Sequence, residues 1–246
     1  MESYRPPYPG TFRLQATARQ SDARFPLGLG TCGVHEVCEA SFGDLPALTG
    51  FALSASPPRP GIIFWVGQGR SNRNHGGLLQ AGLGHVRSPA PTILQTQPEK
   101  LIDALWTIEE AIRSNAVGLV IAEIEDADFT ASRRLALASG RHGVPVVLLM
   151  PYTREGATAA AARWRVTPRP SAPNRFDPHA PGPARWHAVL ERSRQAPHMA
   201  GRSFNLEQND ETLSLTVVPG LATHAPAPRK AGDEDRFPTG HVRQFG

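Results

Sequence analysis

Short apolar runs alternate with segments of helical periodicity over the first two thirds of the chain. The three most apolar runs are residues 61–66, 117–122 and 144–150, and shorter strand candidates occur at 34–37 and 92–96. Wholly apolar runs of this length are typical of strands that are buried on both faces of a parallel sheet.

The clearest helix follows Pro98, because proline is tolerated in the first turn and an apolar stripe recurs at helical spacing. The stripe consists of Leu101, Leu105, Ile108 and Ile112, and Asn115 is the predicted stop. Trp106 lies beside this stripe and is predicted to pack in the core. Further helices are predicted at 48–54 and 130–139, and short ones within 76–84 and 157–162.

Strands that alternate with helices predict an α/β fold in which a mostly parallel sheet is flanked by helices. The pattern then changes to four segments that favour antiparallel strands, at 163–166, 185–190, 203–206 and 213–218. We therefore expect a flexible arm at 1–21 and one domain at 22–218. Within that domain, a parallel core (22–162) precedes an antiparallel β extension (163–218) with a proline-rich loop at 168–183. The charged, proline-rich tail at 219–246 is expected to be disordered.

The composition narrows the classes of function. The chain has 246 residues, a net charge of +4, and only two lysines, Lys100 and Lys230. Such a charge permits contact with nucleic acid without requiring it. No apolar run approaches the ~18 residues of a membrane span, so we expect a cytoplasmic protein without a membrane partner.

Two cysteines flank a histidine near the first strand. Cys32, His35 and Cys38 supply three metal ligands at most, and no second cluster completes a site. We interpret the cysteines as buried thiols in a reducing compartment and predict no metal.

Several segments resemble known proteins. Residues 99–122 resemble the helix and the Walker B strand of RecA-type recombinases, and residues 25–30 and 33–37 resemble the approach to their first strand. A closer resemblance, over roughly residues 25–218, is to the ImuA family (inducible mutagenesis protein A). The matching pieces are HEV at 35–37, TGFA at 49–52, DALW at 103–106, TASRRL at 130–135 and RWRV at 163–166.

This resemblance implies a RecA-like, P-loop NTPase-type core and a role in the SOS response, in DNA-damage-induced, error-prone translesion synthesis. It also implies an ImuB-like polymerase homologue and an error-prone replicative-type DNA polymerase as partners. Because RecA-like domains pair readily, RecA itself is a further candidate partner. The family is also related to the cell-division inhibitor SulA.

Residues 35–54 have the strand–loop–helix layout of a phosphate-binding loop. Such a loop turns backbone N–H groups and a lysine toward phosphate, and its Ser or Thr holds magnesium. If Thr49 takes the Ser/Thr place, Leu48 stands where the lysine belongs, and Pro46 removes one N–H. The degenerate loop positions are Glu39, Ser41, Gly43, Asp44, Leu48 and Thr49, of which Glu39 and Asp44 add negative charge.

The carboxylate that orients the attacking water in RecA-type proteins follows the second strand. Here that strand is followed by Gly67, Gln68, Gly69 and Arg70. Glu123 takes a Walker B-like position at the end of a strand, where it could hold magnesium; alternatively, Glu123 and Glu125 are solvated. We therefore expect no efficient ATPase activity, and neither ATP nor magnesium as a cofactor.

Arginines supply the candidate contacts to single-stranded DNA or a partner. They are Arg70, Arg73 and Arg87 in a segment without acidic residues, and Arg163 and Arg165 beside Trp164. In a strand, Trp164 would point to the core and the two arginines to the opposite face, so solvated arginines beside a core tryptophan are the alternative.

Together, the degenerate loop and the family resemblance predict a non-catalytic accessory protein of error-prone DNA synthesis. We expect it to be cytoplasmic, and nucleoid-associated when active. One alternative is an ATP- or single-stranded-DNA-binding protein with an unusual nucleotide site, in which Arg70 would contact phosphate. A further alternative is a SulA-like inhibitor of cell division.

Overall fold

The computed structural model describes residue 25 and residues 29–57, 59–79, 82–83, 91–177, 179–209 and 212–218. The expected N-terminal arm (1–21) and C-terminal tail (219–246) lie outside the described residues, as does Arg87.

One nine-stranded sheet organises the described chain, in the order β3-β2-β4-β5-β1-β6-β7-β8-β9. Strands β1 to β6 are parallel, and β6 to β9 are antiparallel. The strands are β1 (Val34–Glu39), β2 (Ile62–Gly67), β3 (Ile93–Thr96), β4 (Val117–Glu123), β5 (Val146–Met150), β6 (Ala162–Arg169), β7 (Arg185–Ser193), β8 (Ser203–Gln208) and β9 (Leu215–Val217). The helices are α1 (Leu45–Ala55), α2 (Gly69–His75), α3 (Leu101–Arg113) and α4 (Phe129–His142).

Two apolar clusters lie on opposite faces of the sheet. One cluster buries α1 together with Val37, Trp164 and Trp186, and the other buries α3 and α4 against the opposite side chains of β1, β4 and β5. This arrangement confirms the prediction of a mostly parallel sheet with helices on both faces and antiparallel strands at the C-terminal end.

The helix ends follow local signals in the sequence. Asp128 caps α4, since its carboxylate accepts the N–H of Ala131, and Gly143 ends the helix at φ 70°. The predicted apolar stripe of α3 packs inward, and Asn115 follows the helix at φ 54°. Within the described chain, no helix is both long and apolar enough to cross a bilayer.

A short helix with loops was expected within 76–84. Residues 76–79 have no helical structure, residues 82–83 lie in a 3-10 turn, and residues 80, 81 and 84 lie outside the described residues. Helix α2 precedes this segment. The helix predicted at 157–162 is wrong. Residues 157–160 have no helical structure, and the backbone of Ala161 bonds to Val34 as the chain enters β6. Small residues allow this close entry beside β1, whereas local helix propensity had favoured a helix.

The sequence also misplaced two features. We expected β6 to be antiparallel, yet it pairs in parallel with β1 and only its other edge is antiparallel, to β7. Trp106 is 59% exposed rather than buried, because it lies on the outer side of α3, four residues after the exposed Ile102.

Candidate functional site at the carboxyl edge of the sheet

A cavity opens where several parallel strands end together. It has a volume of about 480 Å³ and is lined mainly by residues that follow β1, β4 and β5 and by α2. They include Phe42, Arg70, Glu125, Asp126 and Tyr152. The carboxyl edge is where open α/β sheets bind ligands, so this cavity is the candidate site.

Glu39, the last residue of β1, occupies the start of α1. Its Oε2 accepts the backbone N–H of Leu45 over 2.9 Å, and its Oε1 accepts the N–H of Tyr152 over 3.3 Å. The residue is 1% exposed. The positive end of a helix normally attracts an anion, and here the chain supplies its own.

The rest of the loop is also bonded internally. The Asp44 carboxylate accepts the N–H of Ser41 over 3.1 Å, and the Asp44 carbonyl accepts the N–H of Ala47 over 2.9 Å. Gly43 makes the turn at φ 98° and is exposed. Several N–H groups that a phosphate would need are therefore already used within the loop.

Leu48 and Thr49 lie at the fourth and fifth residues of α1, one turn past the loop–helix junction. Leu48 is fully buried in the core. The structure thus places neither residue at the helix start, where a phosphate-binding loop presents its lysine and hydroxyl.

Glu123, at the end of β4, is buried rather than solvated. Its Oε2 accepts the Ser71 hydroxyl over 3.1 Å. Burial raises the pKa of the Glu123 carboxyl to about 7, against the smaller effect of the Ser71 hydrogen bond, which lowers it. A carboxyl with such a pKa exchanges a proton near neutral pH.

The segment that follows β2 is hydrogen-bonded to the segment that follows the neighbouring strand, β4. Gln68 and Glu125 form a reciprocal pair: the Gln68 side-chain amide donates to the Glu125 carboxylate, and the Glu125 N–H donates to the Gln68 side-chain oxygen, both over 2.9 Å. Arg70 binds the same carboxylate over 3.0 Å, so its charge is already paired at the cavity wall. Arg73 lies outside the cavity lining and pairs with Glu99 over 2.7 Å.

Arg165 holds the loops around the cavity together. Its guanidinium donates to the backbone carbonyls of Glu39, Tyr152 and Arg154 and to the carboxylate of Glu191. These bonds link the ends of β1 and β5 to β6 and β7.

Arg163 is buried, which removes it from the surface contacts expected of it. Its Nε lies 2.6 Å from one Glu36 carboxylate oxygen, while Arg154 and Thr158 bind the other. The reason is the parallel pairing of β6 with β1, which sets Arg163 directly beside Glu36. Trp164, on the opposite face, is fully buried as predicted.

The two cysteines that were considered as metal ligands differ in burial. Cys32 is exposed, which contradicts its expected burial, and its thiol donates to the Ser139 carbonyl over 3.5 Å. Cys38 is buried in β1, and burial raises the pKa of its thiol to about 12.

Sequence reasoning missed Tyr152 and Arg154, which follow β5. Tyr152 supplies an aromatic wall and a backbone donor to the site, and Arg154 anchors this loop to Glu36. Their position directly after an apolar strand was a usable signal, since loops at that edge form the site.

Comparison with known proteins gives one consistent result. The chain is 35% identical over 190 residues to Protein ImuA of Caulobacter vibrioides (strain NA1000 / CB15N), covering 70% of this chain and 75% of the relative. Protein ImuA of the strain ATCC 19089 / CIP 103742 / CB 15 matches with the same values. No protein-family profile matches the chain.

Proposed function

Because the chain belongs to the ImuA family, we propose that it is a non-catalytic, RecA-like accessory protein of damage-induced, error-prone DNA synthesis. It acts by binding an ImuB-like polymerase homologue, RecA or both, in a complex with an error-prone replicative-type polymerase. The observation that carries the non-catalytic part is the Glu39 carboxylate bonded to the first N–H of α1.

A phosphate at this helix start would have to displace Glu39. The displaced carboxylate would be left buried beside a second anion, with two backbone donors removed from it. Both the lost hydrogen bonds and the like charges disfavour binding. Since no lysine precedes Lys100, the loop itself offers no ammonium group to offset this repulsion.

An interaction role also needs surface that a partner can cover. Helix α3 exposes Ile102 (62%) and Trp106 (59%) one turn apart on its outer side. Aromatic side chains that are exposed in the free protein and become buried in the complex are typical of the residues that dominate binding energy at interfaces. This pair therefore supports binding to a partner protein.

The first test measures ATP binding and hydrolysis by the purified protein, with and without single-stranded DNA. We expect neither. A steady magnesium-dependent ATPase rate that is lost in Glu123→Gln would overturn the non-catalytic proposal.

The second test measures binding of the ImuB-like homologue and of RecA separately. We expect Trp106→Ala to weaken binding to the true partner by tenfold or more. Phe176→Ala, which removes an exposed aromatic side chain elsewhere, is the matched control and should bind like the wild type. Equal binding by both variants would exclude the α3 surface.

The 480 Å³ cavity itself favours a second candidate, a protein that binds ATP at an unusual site. Arg70 would then exchange Glu125 for phosphate, so Arg70→Ala should abolish ATP binding.

The SulA-like alternative is tested by measuring binding of the chain to the tubulin-like division protein. We expect no such binding.

A further inference from the structure

A second cavity lies between α4 and the end of β7. Its volume is about 350 Å³, and it is lined by Phe129, Arg133, Thr158, Ala159, Arg192 and Arg194. Three of the six lining residues are arginines and none is acidic. This cavity shares no lining residue with the one at the carboxyl edge of the sheet.

The spacing of the sequence brings these side chains together. Phe129 and Arg133 are four residues apart in the first turns of α4, so they lie on one side of the helix. Arg192 lies in the last two residues of β7 and Arg194 directly follows the strand, and both side chains line the cavity.

The walls between the arginines are well ordered by hydrogen bonds. The Ser132 hydroxyl accepts the N–H of Ala159 over 3.0 Å and donates to the Phe129 carbonyl over 3.0 Å. Arg194 donates through Nη1 to the Ala159 carbonyl over 3.2 Å. Thus Ala159, which lines the cavity, is hydrogen-bonded both to α4 and to the residue that follows β7.

The charge of this cavity is not neutralised within the described chain. Arg134 and Arg165 have the carboxylate partners Glu109 and Glu191. In contrast, the guanidinium groups of Arg133 and Arg192 have no ion-pair partner among the described residues. The nearby Asp128 carboxylate caps α4. Converging arginines without carboxylates attract an anion of matching shape.

We propose that this cavity binds the phosphate backbone of single-stranded DNA, with a base stacked on Phe129. Phe129 is 49% exposed at the cavity. An exposed aromatic ring beside arginines fits unstacked bases, whereas the bases of a duplex are already stacked on each other. This site is independent of the proposed partner binding.

The test is fluorescence anisotropy of a labelled oligothymidylate titrated with the full chain at several salt concentrations. Replacing Arg133 and Arg192 together with alanine should lower affinity by tenfold or more and reduce the slope of log K against log salt by about 1.4. The lysine double variant should keep most of the slope. Arg141→Ala with Arg169→Ala removes the same charge from exposed positions outside the cavity and should change the affinity little.

Phe129→Ala separates stacking from charge. We expect about a tenfold loss of affinity with an unchanged salt slope. Three results would overturn the proposal: equal losses in the Arg141/Arg169 control, no effect of Phe129→Ala, or tighter binding of a duplex or an acidic peptide than of the oligothymidylate. The last result would assign the cavity to another polyanion. Circular dichroism of each variant confirms that it is folded.

Discussion

The carboxylate of Glu39 accepts the backbone N–H of Leu45 over 2.9 Å, so the last residue of β1 neutralises the first turn of α1. This contact turns a loop with the layout of a phosphate-binding loop into a self-contained structural turn.

Glu39→Ala should therefore destabilise the protein by about 1–3 kcal/mol, because it leaves the buried N–H of Leu45 and the partly buried N–H of Tyr152 unpaired. Glu39→Gln keeps an acceptor and should cost less. Urea unfolding measures both. Inorganic pyrophosphate should raise the unfolding midpoint of Glu39→Ala and leave the wild type unchanged. If pyrophosphate stabilises the wild type equally, Glu39 does not block the anion position.

The buried carboxylate of Glu36 forms ion pairs with two arginines, Arg154 and Arg163. Glu36→Gln should cost about 3–5 kcal/mol, since buried Arg163 would lose its counter-charge and Arg154 would keep only the longer pair with the more exposed Asp126. Glu99→Gln breaks the exposed pair with Arg73 and should cost less than about 1 kcal/mol. Similar costs for both variants would show that water screens the buried group.

The two tryptophans near the centre of the chain differ in burial. Trp164 is fully buried, and Trp164→Ala should cost about 3–5 kcal/mol in the free energy of unfolding. Trp106 is 59% exposed, and Trp106→Ala should cost less than about 1 kcal/mol. A large loss for Trp106→Ala would mean that this side chain is covered in solution.

The sequence predicted the strands and the long helices because their signals are local. Apolar runs marked β2, β4 and β5, and a stripe with a clear stop marked α3. Pairing between distant segments has no local signal. Arg163 meets Glu36 across 127 positions of sequence, and only the parallel pairing of β6 with β1 makes it a core residue.

The sequence predicted where the candidate site lies, but it did not predict the hydrogen bonds within the site. The negative charge of Glu39 indicated repulsion of phosphate, but the sequence did not reveal that this carboxylate binds the helix itself. The second cavity was missed because its arginines come from α4 and β7, which are brought together only by the folded chain.

His35 should make stability depend on pH on the acidic side. It is 1% exposed, its ring nitrogens have no hydrogen-bond partner among the described residues, and burial lowers its pKa to about 4. The unfolded chain therefore takes up a proton below pH 6.5 while the folded chain does not. The contribution of His35 to the free energy of unfolding should fall as pH decreases from about 6.5 to 4, by about 3 kcal/mol in total. Urea unfolding of His35→Leu should lack this contribution; an unchanged acid profile would contradict the assignment.

Glu123 should act in the opposite direction over nearly the same range. Its folded pKa of about 7 lies above the ordinary value of 4.5, so the folded chain keeps a proton that the unfolded chain loses. The stabilisation is complete below pH 4.5 and is lost as pH rises to 7, again by about 3 kcal/mol.

The contributions of Glu123 and His35 should largely cancel between pH 4.5 and 6.5 in the wild type. In urea unfolding, Glu123→Gln should then show the contribution of His35 without this compensation, so this variant loses stability on acidification. His35→Leu should instead gain stability on acidification, because the contribution of Glu123 is then no longer compensated. Parallel pH profiles for the two variants would show that neither group titrates as its burial requires.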